Sequence, residues 1–281
     1  MLPGRLSPGR RLYEGFTATA AIVGICWTTP VQPHLDDWDR HWTSYAEASQ
    51  RNPAQAYRRR LVLGLLQSID RQGQERILDI GSGTGALATD LRRRFPEADI
   101  VGVELSREGV ERARIAVPSA TFVQRDLLDD QDVEPRLRGW ATAAVCSEVL
   151  EHVDEPRRLL RGVMPYLEPG CRLIVTVPGG PMSAFDRSIG HRRHFTPQTL
   201  SQLLRESGFR VERSQRAGFP FFNLYRLVVI TRGRQVSRDV DGGSTTASAA
   251  MSAFDRLFRF NLDRSPFGWQ IVAVATLPQG G

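Results

Sequence analysis

Two carboxylates and an imidazole fall within five positions in the stretch SEVLEHV, Ser147 to Val153, directly after the apolar run ATAAVC. Glu148, Glu151 and His152 are spaced i, i+3, i+4, so a helical turn would put all three on one face. Such a set suits two chemistries. A histidine with an ordinary pKa near ~6.5 can take a proton from a reacting hydroxyl, and mixed oxygen and nitrogen donors can hold a divalent ion such as Mg²⁺ or Mn²⁺. The plainer alternative is that Glu151 and His152 cap and orient the next loop. Two more histidines, His191 and His194, stand in GHRRHFTPQTL and offer a further group to either chemistry.

A second constellation lies upstream. ILDIGSGTGALA carries Gly81, Gly83 and Gly85 between a strand-like run and a helix-like run, with Ser82 and Thr84 between them. Glycines there allow close backbone approach to a ligand, and the following helix begins with free amides. A glycine turn alone would equally serve a nicotinamide cofactor. Asp79, two residues before the first glycine, places an anion where a cationic or amine-bearing ligand would be met. Glu104 ends VGVELS, where a carboxylate can accept ribose hydroxyls, with Leu105 beside it. Asp126 and Leu127 end QRDL, a polar and an apolar residue at the same sheet edge that would suit an adenine.

These groups need a scaffold that brings strand ends together. The pattern reads RILDI strand, helix through LRRRF, DIVGVEL strand, REGVERARIA helix, ATFVQRD strand, ATAAVCS strand, PRRLLRGVMPYL helix and CRLIVTVP strand. TPQTLSQLLRESGF then reads as a helix ending at Gly208, FRVERSQRAG as a strand, and GWQIVAVAT as the closing strand. Strands alternating with helices predict an α/β fold with a doubly wound, mostly parallel sheet. Asn52-Pro53 starts a helix carrying Tyr57, Leu61, Leu65 and Ile69 near the helical period.

Residues 34–281 form the expected domain. Within it, 34–53 reads as an entry or lid segment and 218–267 as an insertion before the last strand. In that insertion RDVDGGSTTASAA reads as a flexible loop and AFDRLFRF as a short amphipathic helix. Residues 1–33 have the outline of a signal peptide, with Arg5, Arg10 and Arg11 before FTATAAIVGICW. That run is too short to span a membrane, and the segment reads as disordered or as lying upstream of the true start.

The motif order LDIGSGTG, VGVELS, RDLLD, CSEVLEHV, LEPGCRLIVTVP resembles the class I S-adenosylmethionine-dependent methyltransferases across residues 54–215, with 269–276 fitting their antiparallel closing strand. The resemblance implies a seven-stranded Rossmann-like sheet with S-adenosyl-L-methionine at its carboxyl edge. It implies that Asp79 and the turn Gly81, Ser82, Gly83, Thr84, Gly85 hold the methionine moiety. Glu104 with Leu105 would hold the ribose, Asp126 and Leu127 the adenine, and Ser147 and Glu148 would border the cofactor. The pairing of an E-x-x-E-H turn with a later histidine is similar to the ubiquinone-pathway O-methyltransferases and the small-RNA 2′-O-methyltransferases. On that likeness Glu148, Glu151, His152 and His191 are candidate metal ligands. Without a metal, His152 or His191 is the general base, with Glu151 beside them.

Composition narrows the rest. All 37 basic residues are arginine, which excludes Schiff-base, P-loop-lysine and lysine-base chemistry. Three unspaced cysteines, two of them in apolar runs, argue against disulfides and zinc and favour a reducing, cytoplasmic setting. The expected activity is O-methylation of a small-molecule, glycan or lipid-linked acceptor. Phe219, Phe221, Phe222, Leu224 and Tyr225 either line its pocket or form core, and Arg192 and Arg193 are candidates for an acceptor anion. RNA methylation, which the net charge of +6 permits, and a non-catalytic cofactor-binding scaffold are the alternatives.

Overall fold

A computed structural model describes residues 37–43, 52–67, 75–129, 132–232 and 245–279; the expectation for residues 1–33 lies outside this range. Seven strands form one sheet: β1 Arg76–Ile80, β2 Asp99–Glu104, β3 Thr121–Gln124, β4 Ala141–Ser147, β5 Leu167–Pro178, β6 Arg210–Ala217 and β7 Gln270–Thr276. Their order is β3-β2-β1-β4-β5-β7-β6. The pairs from β3 through β5 are parallel, and β7 runs antiparallel to both β5 and β6. The doubly wound expectation holds.

The helical elements are α1 at 38–43, α2 Pro53–Gln67, α3 Ala86–Arg94, α4 Arg107–Ala116, α5 Pro156–Val163, α6 Ala184–Ser188, α7 Pro197–Glu206, α8 Phe221–Arg232 and α9 Thr245–Leu257. Strand periodicity decides which face each side chain meets. In β1, Leu78 and Ile80 join Leu160 and Leu204 in one core layer, while Ile77 joins Val62, Leu91 and Val110 in the other. Both faces of the sheet are therefore covered, as a parallel sheet requires. A third cluster, including Tyr57, Phe222, Tyr225 and Phe258, packs α8 onto α2.

Helices α4 and α7 begin on side-chain caps. Ser106 caps α4 by accepting from the Gly109 N–H, and Thr196 with Thr199 forms a capping box on α7. Two boundaries differ from expectation. TTASAA begins α9 instead of a loop, because its small residues continue into the apolar face of AFDRL. Strand β5 starts at Leu167, not Cys171, since α5 has already ended at Val163.

Candidate active site

Between β1 and β4 the strand order reverses direction, which opens a crevice at the carboxyl ends of these two strands. The turn after β1 and the turn after β4 face each other across a cavity of about 300 Å³. Ser82, Gly83 and Thr84 line it from one side, Ser147, Glu148, Glu151 and His152 from the other, and His191 from a third element.

Gly83 adopts φ 52, in the left-handed region, and a side chain there would meet the Trp42 ring at 2.7 Å. Both requirements demand glycine. Glu104 folds back under this turn: one carboxylate oxygen accepts from the Gly83 N–H at 2.8 Å and the other from Ser106 N–H at 2.9 Å. Burial pushes its pKa up against these donors. Asp79 is 2 % exposed, and its Oδ2 has no hydrogen-bond partner. Burial, reinforced by the nearby Glu104, raises its carboxyl pKa to about 7. An unpartnered buried acid beside a glycine cradle fits a cation-bearing cofactor, and Asp79, the 81–85 turn and Glu104 are the residues that would hold one.

Helix α1 closes this side. Asp39 accepts from Ser106 Oγ at 2.5 Å and from the Glu108 N–H at 3.1 Å, fastening α1 to the start of α4. Those bonds hold the Asp39 carboxyl below its ordinary pKa. Trp42 lies against Gly83 and Gly109, and Trp38 meets the His152 ring edge-on at 4.9 Å. Trp38, His41 and Trp42 all line the cavity, yet sequence reasoning passed over them. The available signal was the i, i+4 spacing of two tryptophans with a histidine between them.

The E-x-x-E-H turn departs from the expected single face. Glu148 has φ 58, and Leu150–His152 forms a 3₁₀ turn, so the chain reverses between the two glutamates. Glu148 turns toward Arg58 of α2, at 3.0 Å. It also accepts from Gln270 Nε2 at 2.9 Å and from Thr176 Oγ1 at 3.1 Å. Arg58 Nε in turn donates to Gln270 Oε1 at 2.9 Å. Of the four candidate metal ligands, three are brought together by the structure. Glu151, His152 and His191 bring donor atoms within 4.8 Å of one another, but Glu148 is committed to the guanidinium.

Glu151 is fully buried, with both oxygens unpartnered. Burial, then the charge of Glu148, raises its pKa well above the usual carboxylate range. Burial lowers His152 to about 3 and pulls His191 down as well, the latter aided by His152. Both imidazoles are thus neutral around pH 7. His152 Nε2 stands 4.0 Å from Glu151, and the His152 and His191 rings meet at 4.7 Å. His194 sits one step further out, 3.3 Å from His191, with its Nδ1 against the Gly180 carbonyl.

The other sequence-predicted residues divide. Asp126 accepts from the Leu128 N–H in the turn after β3, Leu127 is buried in the core, and Leu105 is exposed; none of the three lines the cavity. Arg192 and Arg193 both reach Asp154, the first through its carboxylate and the second through its carbonyl. Tyr225 lines the cavity, whereas Phe222 is core and Leu224 faces outward. Cys146 and Cys171 are buried free thiols. Among the described residues, no helix is long and apolar enough to cross a membrane.

A sheet of this order with a glycine turn and a carboxylate at adjacent strand ends defines a class I S-adenosylmethionine-dependent methyltransferase. Residues 45–214 match a family model described as a methyltransferase domain, and the chain belongs to that family. Among curated proteins it is 25% identical over 170 residues to the ubiquinone biosynthesis O-methyltransferase of Aeromonas salmonicida, covering 54% of this chain and 71% of that protein. It is 27% identical to the Xanthomonas axonopodis enzyme of the same name, over 49% of this chain and 63% of that one. It is 29% identical to a trans-aconitate 2-methyltransferase of Azoarcus, over 43% of this chain and 46% of that one. The chain thus matches less than two thirds of the latter two relatives. Among solved structures, the [4+2]-cyclase SpnF superposes with a TM-score of 0.55 at 21% identity, covering 79% of this chain and 81% of that one. Haemonchus contortus phosphoethanolamine N-methyltransferase 2, bound to S-adenosyl-L-methionine, gives 0.54 at 16% identity over 78% and 52%. These two support the fold alone.

Proposed function

We propose that this chain transfers a methyl group from S-adenosyl-L-methionine to a hydroxyl of a small-molecule acceptor, with a histidine as general base. The carrying observation is the convergence of Glu151, His152 and His191 in the cavity that also meets the glycine turn. The cofactor supplies an electrophilic methyl on a sulfonium. Asp79 and the backbone of residues 81–85 would grip its methionine end, and Glu104 its ribose.

The chain's own contribution to the reaction is to place and deprotonate the acceptor. His152 and His191 are neutral and each offers a ring nitrogen to the hydroxyl proton, though burial makes both weaker bases than a free imidazole. Glu151, 4.0 Å from His152 and held in its neutral form by burial, offers a polar partner beside the imidazole. Trp38 and Trp42 exclude water from this side of the cavity, which strengthens those electrostatic interactions. Phe185, Ile189, Tyr225, Val229 and Met251 supply an apolar wall for the acceptor body.

The test is a methyl-transfer assay against a panel of hydroxylated metabolites, with and without chelator. Turnover is expected to survive chelation and to fall by about 10²-fold or more in His152→Ala or Glu151→Ala. Full activity in both variants would discard the assignment. Loss of turnover on chelation, restored by Mg²⁺, would replace the histidine-base reading with a metal-activated one.

A further inference from the structure

Seven large hydrophobic residues among the described ones are strongly exposed, and five of them belong to one region: Leu224, Leu227, Phe260, Leu262 and Phe267. Phe260 is 72 % exposed and Phe267 65 %. Backbone geometry joins the set. Leu262 N–H donates to the Phe219 carbonyl at 2.8 Å, Phe219 and Phe267 rings lie 5.5 Å apart, and Asn223 Nδ2 donates to the Phe267 carbonyl at 2.7 Å. Asn261 Oδ1 accepts from the Phe221 and Phe222 N–H groups and fixes the segment to the start of α8.

Arginines interleave with these apolar side chains. Arg256, Arg259 and Arg264 are exposed in the same stretch. Of its two acids, Asp255 pairs with Arg60 at 3.0 Å, while Asp263 is only within the field of the same guanidinium. The outward surface therefore combines protruding phenyl and leucyl groups with a net excess of positive charge, since Arg256, Arg259, Arg264 and Arg60 outnumber Asp255 and Asp263.

We propose that this face docks on an anionic lipid surface. Apolar side chains inserted at the acyl boundary, flanked by cations at headgroup level, are the pattern an interfacial binder presents. A dry protein interface would have to desolvate the arginines without partners. A second copy seated on the same patch would oppose arginine to arginine across a two-fold axis. The patch is also continuous with the site: α8 turns Leu224 and Leu227 outward while Tyr225 and Val229 line the cavity. Docking would set the acceptor wall of the cavity at the membrane surface, whatever the acceptor's identity.

The experiment is co-flotation of the full chain with phosphatidylglycerol–phosphatidylcholine vesicles and with phosphatidylcholine vesicles alone, over a salt series. Binding is expected to need the anionic lipid and to weaken with salt. The double substitution Phe260→Ser/Phe267→Ser should weaken it at least about tenfold. Arg259→Gln/Arg264→Gln should weaken it too, while both double variants keep wild-type S-adenosyl-L-methionine affinity by calorimetry, which shows that they fold. Failure of the wild type to float, equal binding to both vesicle types, or undiminished binding by the Phe variant would each overturn the proposal. So would a dimer in sedimentation velocity that the Phe substitutions dissociate, since the patch would then be a self-interface. None of these readouts depends on turnover, so the docking surface and the proposed reaction can fail separately.

Discussion

Asp79 shows how a single residue trades stability for binding. Its carboxyl pKa is about 7 in the folded chain against an ordinary value of 3.8, so between those values the native state holds more protons than the unfolded one. The stability associated with this group is fully present below 3.8 and is lost as pH rises through about 7. Asp79→Asn should therefore gain stability relative to wild type as pH rises from about 5 to about 8, read as urea midpoints. The same substitution should cost function. Only the ionised carboxylate attracts the donor's ammonium group, so wild-type donor affinity should increase with pH through about 7. The Asn variant should bind more weakly and without that slope, by calorimetry. A variant whose donor affinity kept the wild-type pH dependence would remove Asp79 from the cofactor site.

Among the elements, α2 matters most through one side chain. Arg58 is 9 % exposed and reaches from the middle of α2 to Glu148 on the turn after β4 and to Gln270 at the start of β7. Removing one partner of a buried pair leaves the other charged and unsolvated, so Arg58→Ala should destabilise by about 3–5 kcal/mol. Arg58→Met with Glu148→Gln, which deletes both charges, should cost clearly less in the same denaturant titration. Equal losses would show that the pair is not coupled. Helix α5 is held by shape. A side chain on Gly162 would run into the Leu127 backbone carbonyl, so Gly162→Ala should cost about 1–3 kcal/mol through displacement of α5 from the turn after β3. An unchanged midpoint would mean that α5 shifts freely.

At the scale of the molecule, the site spans both halves of the sheet, so ligand binding should report on global unfolding. S-adenosyl-L-methionine at a hundredfold excess over its Kd should add about 2.7 kcal/mol, which corresponds to about 4–5 °C in Tm for a chain of this size. A nicotinamide dinucleotide should leave Tm unchanged. The reverse pattern would return the glycine turn to the dinucleotide-binding alternative that its sequence alone allowed.

The strand runs, the glycine turn, Asp79, Glu104 and the helix caps were legible because each depends on local periodicity or on residue types a few positions apart. Helix α9 was misread because the preceding Asp-Gly-Gly and the Ser/Thr content suggested a loop, while its alanines favour helix and Met251 and Phe254 pack it onto the cluster with α2. Glu148 could not be resolved from its spacing. Its left-handed backbone and its pairing with an arginine ninety positions away arise only once α2, β4 and β7 are assembled. The same holds for Trp38, His41 and Trp42, which line the site because Asp39 finds the N-terminus of α4. Sequence determined the architecture and the chemical inventory, since these follow from local patterning. Tertiary structure decided which cavity carboxylate is paired with an arginine and which is left without a partner, because charge pairing acts through space between segments distant along the chain.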